Sequence, residues 1–367
     1  ASGAGKTTLL NALCDRIISN NNSLFSGEVM INDSLKVEQR NFGNYGAYVM
    51  QDDVLFPTLT CEESIRFAAQ MKLGMEGEEL DEKVQVILES LGLLKCRNTY
   101  IGTQTMKGLS GGERKRTAIG VELITNPSIL FLDEPTSGLD SFTANKIVRL
   151  LDEQAKLGKT VISTIHQPSS DTFAKFDRLL LLMDGYVIYQ GPAKSATEYF
   201  SKLGYHCPKY ANPADYFLKE FYVPFYQDEE STQKLNTLVQ GYEKQMKEQV
   251  AAENEEIQLQ RVDTDTLQEQ FTSISYFKEL WLIVLRTGKN IIRNPQATRV
   301  RIMQTLVIGV LMILVFWDMG NDQEGIDGKA GFAFFISINQ VMTALYSVLL
   351  LLLLERAVFL REYASRM

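Results

Sequence analysis

The feature that most constrains the fold is the glycine-rich segment that opens the chain. Residues 1–8 read ASGAGKTT, and an apolar helical pattern follows from Leu9. The segment matches G-x-x-x-x-G-K-[ST], except that the first glycine of the pattern would precede residue 1. In such a loop, backbone N–H groups close around phosphates at a helix N-terminus. The sequence therefore predicts a phosphate-binding loop that leads into a helix, and we expect the sequence to be a fragment that begins inside this loop.

The residues of this loop have different expected roles. Lys6 is expected to contact the β- and γ-phosphate oxygens, and Thr7 is expected to bind Mg²⁺ through its hydroxyl. The candidate nucleotide-binding residues of the loop are Ser2, Gly3, Ala4, Gly5, Lys6, Thr7 and Thr8. A chance match in an ordinary loop is the alternative interpretation of this motif taken alone.

A second pattern places two carboxylates at the end of a buried strand. Ile129–Leu132 is wholly apolar, and Asp133 and Glu134 follow it directly. Parallel strands deliver the residues at their carboxyl ends to one edge of a sheet. Asp133 is predicted to bind Mg²⁺, directly or through water. Glu134 lies one residue further on and suits the orientation or deprotonation of an attacking water, so it is the predicted catalytic base.

Three further segments occur in a fixed order around these carboxylates. Residues 109–114 read LSGGER and precede a helical pattern through Ile124, which predicts a second anion site at a helix N-terminus. Residues 137–140 read SGLD, and His166 follows the predicted strand Thr160–Ile165. Each segment alone is compatible with an ordinary loop. Together with the first two patterns, they resemble the nucleotide-binding domain of ABC proteins.

The resemblance implies roles that the residue patterns alone do not give. Gln51 would be the glutamine that senses Mg²⁺ and the attacking water, and His166 the histidine that contacts the γ-phosphate. ATP and Mg²⁺ are the implied cofactors, and the LSGGER segment would complete the ATP site of a second, antiparallel protomer. The further residues assigned to nucleotide binding are Ser110, Gly111, Gly112 and Asp140. The implied Mg²⁺ ligands are Thr7, Gln51 and Asp133. A lone histidine or glutamine is more often structural, and only the register of the motifs favours function here.

The domain organisation follows from where apolar and charged residues lie. With 367 residues the chain has room for about two domains. Residues 1–227 alternate short apolar runs with helical patterns, which predicts an α/β fold with a mostly parallel sheet and a terminal hairpin at Asp184-Gly185. Residues 228–272 form an acidic linker, predicted to be a solvated helix or a mobile segment. Residues 273–367 are predicted to begin an all-α transmembrane domain.

Two uncharged runs in the last part of the chain predict membrane spans. Ile302–Trp317 has sixteen residues without a charge and Ala330–Leu354 has twenty-five. The predicted spans are residues 299–317 and 330–354, approximately; a buried core helix is the alternative for the first. Residues 278–301 carry six bases and one acid, whereas residues 318–329 carry four acids and one base. The basic side faces the cytoplasm, so the α/β domain is predicted to be cytosolic.

The order of the two regions resembles one branch of the ABC family. The nucleotide-binding region precedes the membrane region, as in the G subfamily. Segments reading GGERKR at 111–116, HQP at 166–168, NPAD at 212–215 and NPQ at 294–296, together with ERAVF at 355–359 and the later Glu362-Tyr363, agree with a White-type half-transporter. The resemblance implies an amphipathic connecting helix at residues 276–293 along the membrane surface. It also implies that an upstream aromatic residue which stacks on adenine, and four of six membrane helices, lie outside this sequence.

The predicted function is ATP-driven export of hydrophobic or amphipathic molecules, such as lipids, sterols or xenobiotics. The expected partners are a second ABC half-transporter, in a homodimer or heterodimer, and the lipid bilayer of the plasma membrane or an internal membrane. The net charge of −8 argues against nucleic acid as a partner. A catalytically silent membrane partner and a soluble ABC ATPase are the alternatives. Asn339 and Gln340 either line a transport cavity or join helices by hydrogen bonds.

Overall fold

The structure is a computed structural model that describes residues 3–17, 26–32, 35–103, 106–221, 229–259, 274–317 and 323–365. Ser2, a predicted nucleotide ligand, lies outside these ranges. Within the helices, the side chains of residues 39, 40, 229, 230, 254–259, 295–298, 301, 324, 347, 348 and 350–354 are also outside the description.

Helices and strands alternate through the first two hundred residues, and helices alone follow. The strands are β1 (Met30–Ile31), β2 (Leu35–Lys36), β3 (Gly46–Val49), β4 (Ile129–Leu132), β5 (Thr160–Ser163), β6 (Arg178–Met183) and β7 (Tyr186–Pro192). The helices of the α/β region are α1 (Lys6–Leu13), α2 (Gln39–Phe42), α3 (Cys61–Leu73), α4 (Gly77–Ser90), α5 (Gly111–Leu123), α6 (Ser141–Lys156), α7 (Ser170–Phe173), α8 (Ala196–Lys202) and α9 (Pro213–Glu220). The later helices are α10 (Glu229–Gln245), α11 (Lys247–Leu259), α12 (Tyr276–Arg293), α13 (Pro295–Val315) and α14 (Gln323–Ala364). Short 3₁₀ turns occupy Leu94–Cys96 and Ala193–Ser195.

A three-stranded parallel sheet positions the nucleotide motifs. β4 lies between β3 and β5, and Val49, Leu132 and Ser163 are in register at the carboxyl edge. Both faces of the apolar strand β4 are packed: Leu130 and Leu132 are fully buried in one apolar cluster, and Phe131 is buried in another with Leu10 of α1. The segments that follow the three strands therefore leave the sheet at one edge. The predicted parallel α/β fold is confirmed, although the third strand ends at Ser163 rather than Ile165.

The LSGGER helix, α5, packs tightly against α6. Ser110 is the N-cap of α5: its hydroxyl accepts a hydrogen bond from the Glu113 N–H, and the Glu113 side chain accepts one from the Ser110 N–H. A Cβ atom at Gly112 would lie 2.2 Å from the Thr143 Cγ2 atom of α6. Only glycine permits this approach, so the second glycine of the motif fixes the packing of α5 on α6.

The predicted hairpin is confirmed. In addition, α10, the first helix of the acidic segment 228–272, packs against it. β6 and β7 pair antiparallel around Asp184-Gly185. Leu238 of α10 is fully buried in the apolar cluster that contains Ile188 and Phe200. The Tyr242 hydroxyl donates a hydrogen bond to the Gln190 side chain at 3.2 Å. α10 is therefore not solvated on all sides, because its apolar residues cover the hairpin.

Two of the last three helices, α12 and the C-terminal part of α14, contact the α/β region. α12 spans the predicted residues, whereas α14, with 42 residues, is much longer than the predicted span about 330–354. Val358, near the end of α14, belongs to the same buried apolar cluster as Ile65 and Ile119 of the α/β region. Among the residues that the structure describes, no helix combines the length and the apolar character needed to cross a membrane. Residues 347, 348 and 350–354 of the second predicted span lie outside the described side chains.

Ion pairs join α12 to the α/β region. The Arg293 guanidinium lies 2.6 Å from the Glu63 carboxylate, and the Lys289 ammonium lies 3.0 Å from it. Burial alone would raise the pKa of Glu63, but hydrogen bonds from Arg293, the Thr60 N–H and Lys289 outweigh burial and lower this pKa to about 2. The Arg286 guanidinium lies 4.3 Å from the ring centroids of Phe56 and Phe67. The Glu63 carboxylate therefore stays ionised at neutral pH and pairs with both Lys289 and Arg293 of α12.

Candidate nucleotide site

The glycine-rich loop has the conformation that the motif predicts. Gly5 is the N-cap of α1 with φ +90°, and Gly3 has φ +83°. L-residues with a Cβ rarely adopt these angles, so glycine is needed at both positions. Ala4 is buried, and Lys6, Thr7 and Thr8 form the first turn of α1. The first backbone N–H groups of a helix have no acceptor within that helix. Those at the start of α1 can therefore donate hydrogen bonds to an anion.

A hydroxyl of the loop meets the first carboxylate at the sheet edge. The Thr7 hydroxyl donates a hydrogen bond to the Asp133 Oδ1 atom at 3.1 Å, across 126 residues of chain. Asp133 is only 3% exposed. A hydroxyl and a carboxylate are hard oxygen ligands of the type that Mg²⁺ prefers, and a protein usually supplies Mg²⁺ with only one or two of them. The residues present therefore fit Mg²⁺ at Thr7 and Asp133.

Gln51 and the second carboxylate are also brought together. The Gln51 amide donates a hydrogen bond from Nε2 to Glu134 Oε2 at 3.0 Å. Gln51 comes shortly after β3 and Glu134 directly after Asp133, so the contact follows from the parallel pairing of β3 and β4. Glu134 has φ +43°, an uncommon backbone conformation for a residue other than glycine. Such conformations persist where surrounding contacts impose them, and they concentrate at functional sites.

Sequence reasoning missed Thr164, which contacts both acidic residues. Its hydroxyl donates a hydrogen bond to Asp133 Oδ1 at 2.6 Å and accepts one from the Glu134 N–H at 2.8 Å. Thr164 is 8% exposed and comes directly after β5. One buried hydroxyl therefore holds the Asp133 carboxylate and the strained Glu134 backbone together. The position of a polar residue at the end of a strand next to β4 was the available signal.

The remaining predicted residues lie at the starts of α5 and α6 and on the loop that follows β5. His166 is exposed, two residues beyond Thr164, on the loop that leaves the same sheet edge. Ser110 and Gly111 are exposed at the start of α5, where the Ser110 hydroxyl contacts Glu113. Asp140 is the N-cap of α6, and its carboxylate accepts hydrogen bonds from the Thr143 hydroxyl and from two N–H groups. These hydrogen bonds, that of the Thr143 hydroxyl first, lower the pKa of Asp140.

Comparison with known proteins assigns this geometry to a family. The ABC transporter model matches residues 1–137, an ABC-2 type transporter model matches residues 278–367, and a second ABC-2 type transporter model matches residues 166–223. The chain belongs to the ABC transporter family. The first model contains the phosphate-binding loop, Gln51 and both carboxylates, and the second contains most of α12 together with α13 and α14.

Within this family, the relatives of the chain indicate the G subfamily, because two of the three described next carry the G-family designation. The broad substrate specificity ATP-binding cassette transporter ABCG2 of Mus musculus is 36% identical over 99% of this chain and 58% of that protein. Protein white of Drosophila melanogaster is 34% identical over 100% of this chain and 54% of that protein. ABC transporter G family member 14 of Arabidopsis thaliana is 36% identical over 100% of this chain and 57% of that protein. The chain thus spans a little over half the length of these ABC transporters.

Proposed function

We propose that the protein is an ABC half-transporter that hydrolyses ATP to export hydrophobic or amphipathic molecules. The observation that supports this most directly is the joining of five residues from four segments at one sheet edge. Thr7 contacts Asp133, Gln51 contacts Glu134, and Thr164 contacts both carboxyl residues. Structural requirements of the sheet alone do not demand this set. The set suits an ATPase, because positioning and electrostatic stabilisation supply most of the catalysis in phosphoryl transfer.

The residues divide the reaction between them. Lys6 and the N–H groups of the loop hold the phosphates at the start of α1, and Thr7 and Asp133 would hold Mg²⁺. A bound Mg²⁺ supplies charge neutralisation at the β- and γ-phosphate oxygens. The Glu134 carboxylate accepts a proton from the attacking water, while the Gln51 amide fixes the direction of that carboxylate. His166 is proposed to contact the γ-phosphate from the adjoining loop.

A groove between α13 and α14 supports the proposal that the substrates are hydrophobic or amphipathic. Its volume is about 840 Å³. Apolar side chains such as Phe316 and Phe332 line it together with the polar side chains of Gln304, Asn339 and Gln340. A mixed lining of this kind suits a molecule with an apolar body and a few polar groups. The name of the mouse relative, which states broad substrate specificity, agrees with this class.

Both alternative functions are less well supported. A soluble ABC ATPase would share the nucleotide residues but not the ABC-2 type region at residues 278–367. A catalytically silent partner would not need Glu134 held by Gln51 and Thr164. The test is ATP-dependent uptake by inverted vesicles that contain the full-length protein, screened with a sterol, a phospholipid and an amphipathic xenobiotic. Uptake of none of the three, in vesicles that still hydrolyse ATP, would contradict the proposed substrate class.

Replacing Thr164 by Val is expected to reduce ATP turnover while leaving ATP binding nearly unchanged. Valine keeps the β-branched shape but removes both hydrogen bonds, and losing such bonds in a buried site costs about 1–3 kcal/mol. Where this cost falls on the transition state, it corresponds to a fall in kcat of roughly 5–150-fold. Thr164→Ser should retain most of the activity. Thr160→Val, at the exposed first residue of β5, is the matched control. Equal kcat in both valine variants would contradict the role of the Thr164 hydroxyl.

We also propose that residues 299–317 and 330–354, approximately, cross the membrane with the α/β domain in the cytosol. The charge asymmetry across Ile302–Trp317 supports this orientation. An epitope tag inserted within residues 318–329 should be labelled from the extracellular or lumenal side. A tag within residues 228–272 should be labelled only after permeabilisation. Labelling of both tags from the same side of intact membranes would refute the orientation.

A further inference from the structure

Lys115 of α5 is a buried lysine that the proposed mechanism does not use. Its side chain is 4% exposed. The Nζ atom donates a hydrogen bond to the Gln51 carbonyl oxygen at 2.7 Å, and it lies 3.5 Å from the Met50 carbonyl oxygen. It also forms an ion pair at 2.7 Å with the Asp53 carboxylate. Two backbone carbonyl oxygens therefore accept hydrogen bonds from the ammonium group, whereas the Asp53 Oδ1 atom makes no hydrogen bond within the described part of the chain and pairs with the ammonium by charge alone.

The two carbonyl oxygens and the carboxylate that contact the Lys115 ammonium all belong to one short segment, residues 50–53. This segment follows β3 and carries the Gln51 side chain, whose amide donates to Glu134. Burying an ammonium costs several kcal/mol unless good partners compensate. A shorter or apolar residue would fill the same space without that cost. The burial of a lysine here therefore indicates that the connection between α5 and residues 50–53 matters more than packing alone.

The N-terminal end of α5, shortly before Lys115, is the segment that contacts nucleotide in the proposed dimer. Ser110 and Lys115 are five residues apart, which is about 7.5 Å along a helix. The N-terminus of α5 is fixed by the capping contacts of Ser110 and Glu113, and its packing on α6 is fixed by Gly112. A displacement of the N-terminus therefore displaces Lys115. The first turns of α5 connect Ser110 to Lys115, and contacts then run from Lys115 through the Gln51 backbone and the Gln51 amide to Glu134.

We propose that Lys115 is a positioning residue that fixes the Gln51 backbone, so that the Gln51 amide holds Glu134, and thereby ties α5 to the catalytic carboxylate of the same chain. The inference rests on the proposed function. Because α5 of one protomer is proposed to complete the partner's ATP site, closure of α5 on the partner's nucleotide would align Glu134 in the protomer's own site. Lys115 then makes the two ATP sites interdependent without contacting nucleotide.

The test is a double-mutant cycle in the purified full-length protein, with Lys115→Met and Gln51→Ala. Methionine keeps the unbranched chain and removes the ammonium. Each single variant is expected to lower kcat at least 10-fold with KM for ATP changed less than about 3-fold, because the phosphate-binding loop is untouched. If Lys115 acts through Gln51, the double variant should be no slower than Gln51→Ala alone. Multiplying losses in the double variant would overturn the proposal.

Two further variants separate positioning from folding. Lys115→Met leaves Asp53 as a buried, unpaired carboxylate, which is destabilising by itself. Adding Asp53→Asn should restore the Tm but not kcat; recovery of both would show that Lys115 is only structural. Lys156→Met, at an exposed i,i+4 pair with Asp152, is the matched control and should keep wild-type kcat.

Cooperativity and a catalytic control complete the test. The Hill coefficient for ATP should fall towards 1 in Lys115→Met with Asp53→Asn, since the sites no longer communicate. A Hill coefficient above 1 that is unchanged from wild type would overturn the coupling. If the wild-type protein does not hydrolyse ATP above the level of Glu134→Gln, the proposed function fails. That outcome is distinct from a wild-type ATPase that Lys115→Met does not affect, which overturns only the role of Lys115.

Discussion

Steady-state ATP hydrolysis is expected to fall by about 10²–10⁴-fold when Glu134 is replaced by Gln, the range for loss of a general base. ATP binding should remain within a few-fold of wild type. The reason is that Lys6, Thr7 and Asp133, which contact the phosphates and the metal in the proposed site, are unchanged. Glutamine also keeps a side-chain carbonyl oxygen that can accept the Gln51 amide hydrogen bond. The measurements are phosphate release at saturating ATP and equilibrium binding of a fluorescent ATP analogue.

The Glu134 experiment needs a control for the loss of one negative charge. Glu153→Gln removes a carboxylate from the exposed face of α6 and should have wild-type turnover. An inactive Glu134→Gln protein that still binds nucleotide should also accumulate trapped ATP rather than ADP. Turnover within about 3-fold of wild type in Glu134→Gln would contradict the assignment of Glu134 as the general base, because its contribution would then be under 1 kcal/mol.

The part of the site that the sequence predicted is the part that motif spacing determines. β4 is a continuous apolar run, and Asp133 and Glu134 follow it, so their arrival at the sheet edge requires only that the strand be buried and parallel. Gln51 follows β3, the parallel neighbour of β4. The contact between Gln51 and Glu134 is a consequence of register.

The contacts of Thr164 and Lys115 were not predictable in the same way. A threonine at the end of a strand has no distinctive pattern, and its two hydrogen bonds depend on the φ of Glu134 and on side-chain rotamers. Lys115 lies in a charged segment, GERKR, that reads as a solvated helix face. The Lys115 side chain is buried because residues 50–53, which are distant in sequence, pack against α5. Tertiary packing, rather than local sequence, decides which of several adjacent bases is buried.

The extent of α14 also depends on tertiary packing. The predicted span stops at Leu354 because Glu355 and Arg356 end the uncharged run. The helix nevertheless continues to Ala364, and Val358 is buried in the core of the α/β domain. The carboxylate of Glu362 meets the Arg286 guanidinium at 2.5 Å, so a charge in this segment has a partner on α12. Glu355 and Arg356 therefore mark the end of the uncharged run, but they do not mark the end of α14.

A dimer that combines one Lys6→Ala subunit with one Ser110→Ala subunit is expected to keep one working ATP site. In a two-fold dimer with sites completed in trans, the loop of each subunit faces the LSGGER segment of the other. Both lesions then fall in the same composite site, and the second site has neither. If both substitutions are placed in one subunit opposite a wild-type partner, each site receives one lesion. The second arrangement should therefore lose trapping at both sites.

The geometry of the chain supports completion in trans. Ser110 and Gly111 are exposed, and the side-chain contacts of Ser110 in the described part of the chain are with Glu113 rather than with the phosphate-binding loop. The two arrangements contain the same substitutions in the same numbers, so they are matched for stability and expression. They can be prepared by co-expression of two differently tagged subunits and purification over both tags in turn, with nucleotide trapped by vanadate as the readout. Equal trapping in the two arrangements would mean that each Ser110 serves the ATP site of its own subunit, because only completion in trans makes the placement of the lesions matter.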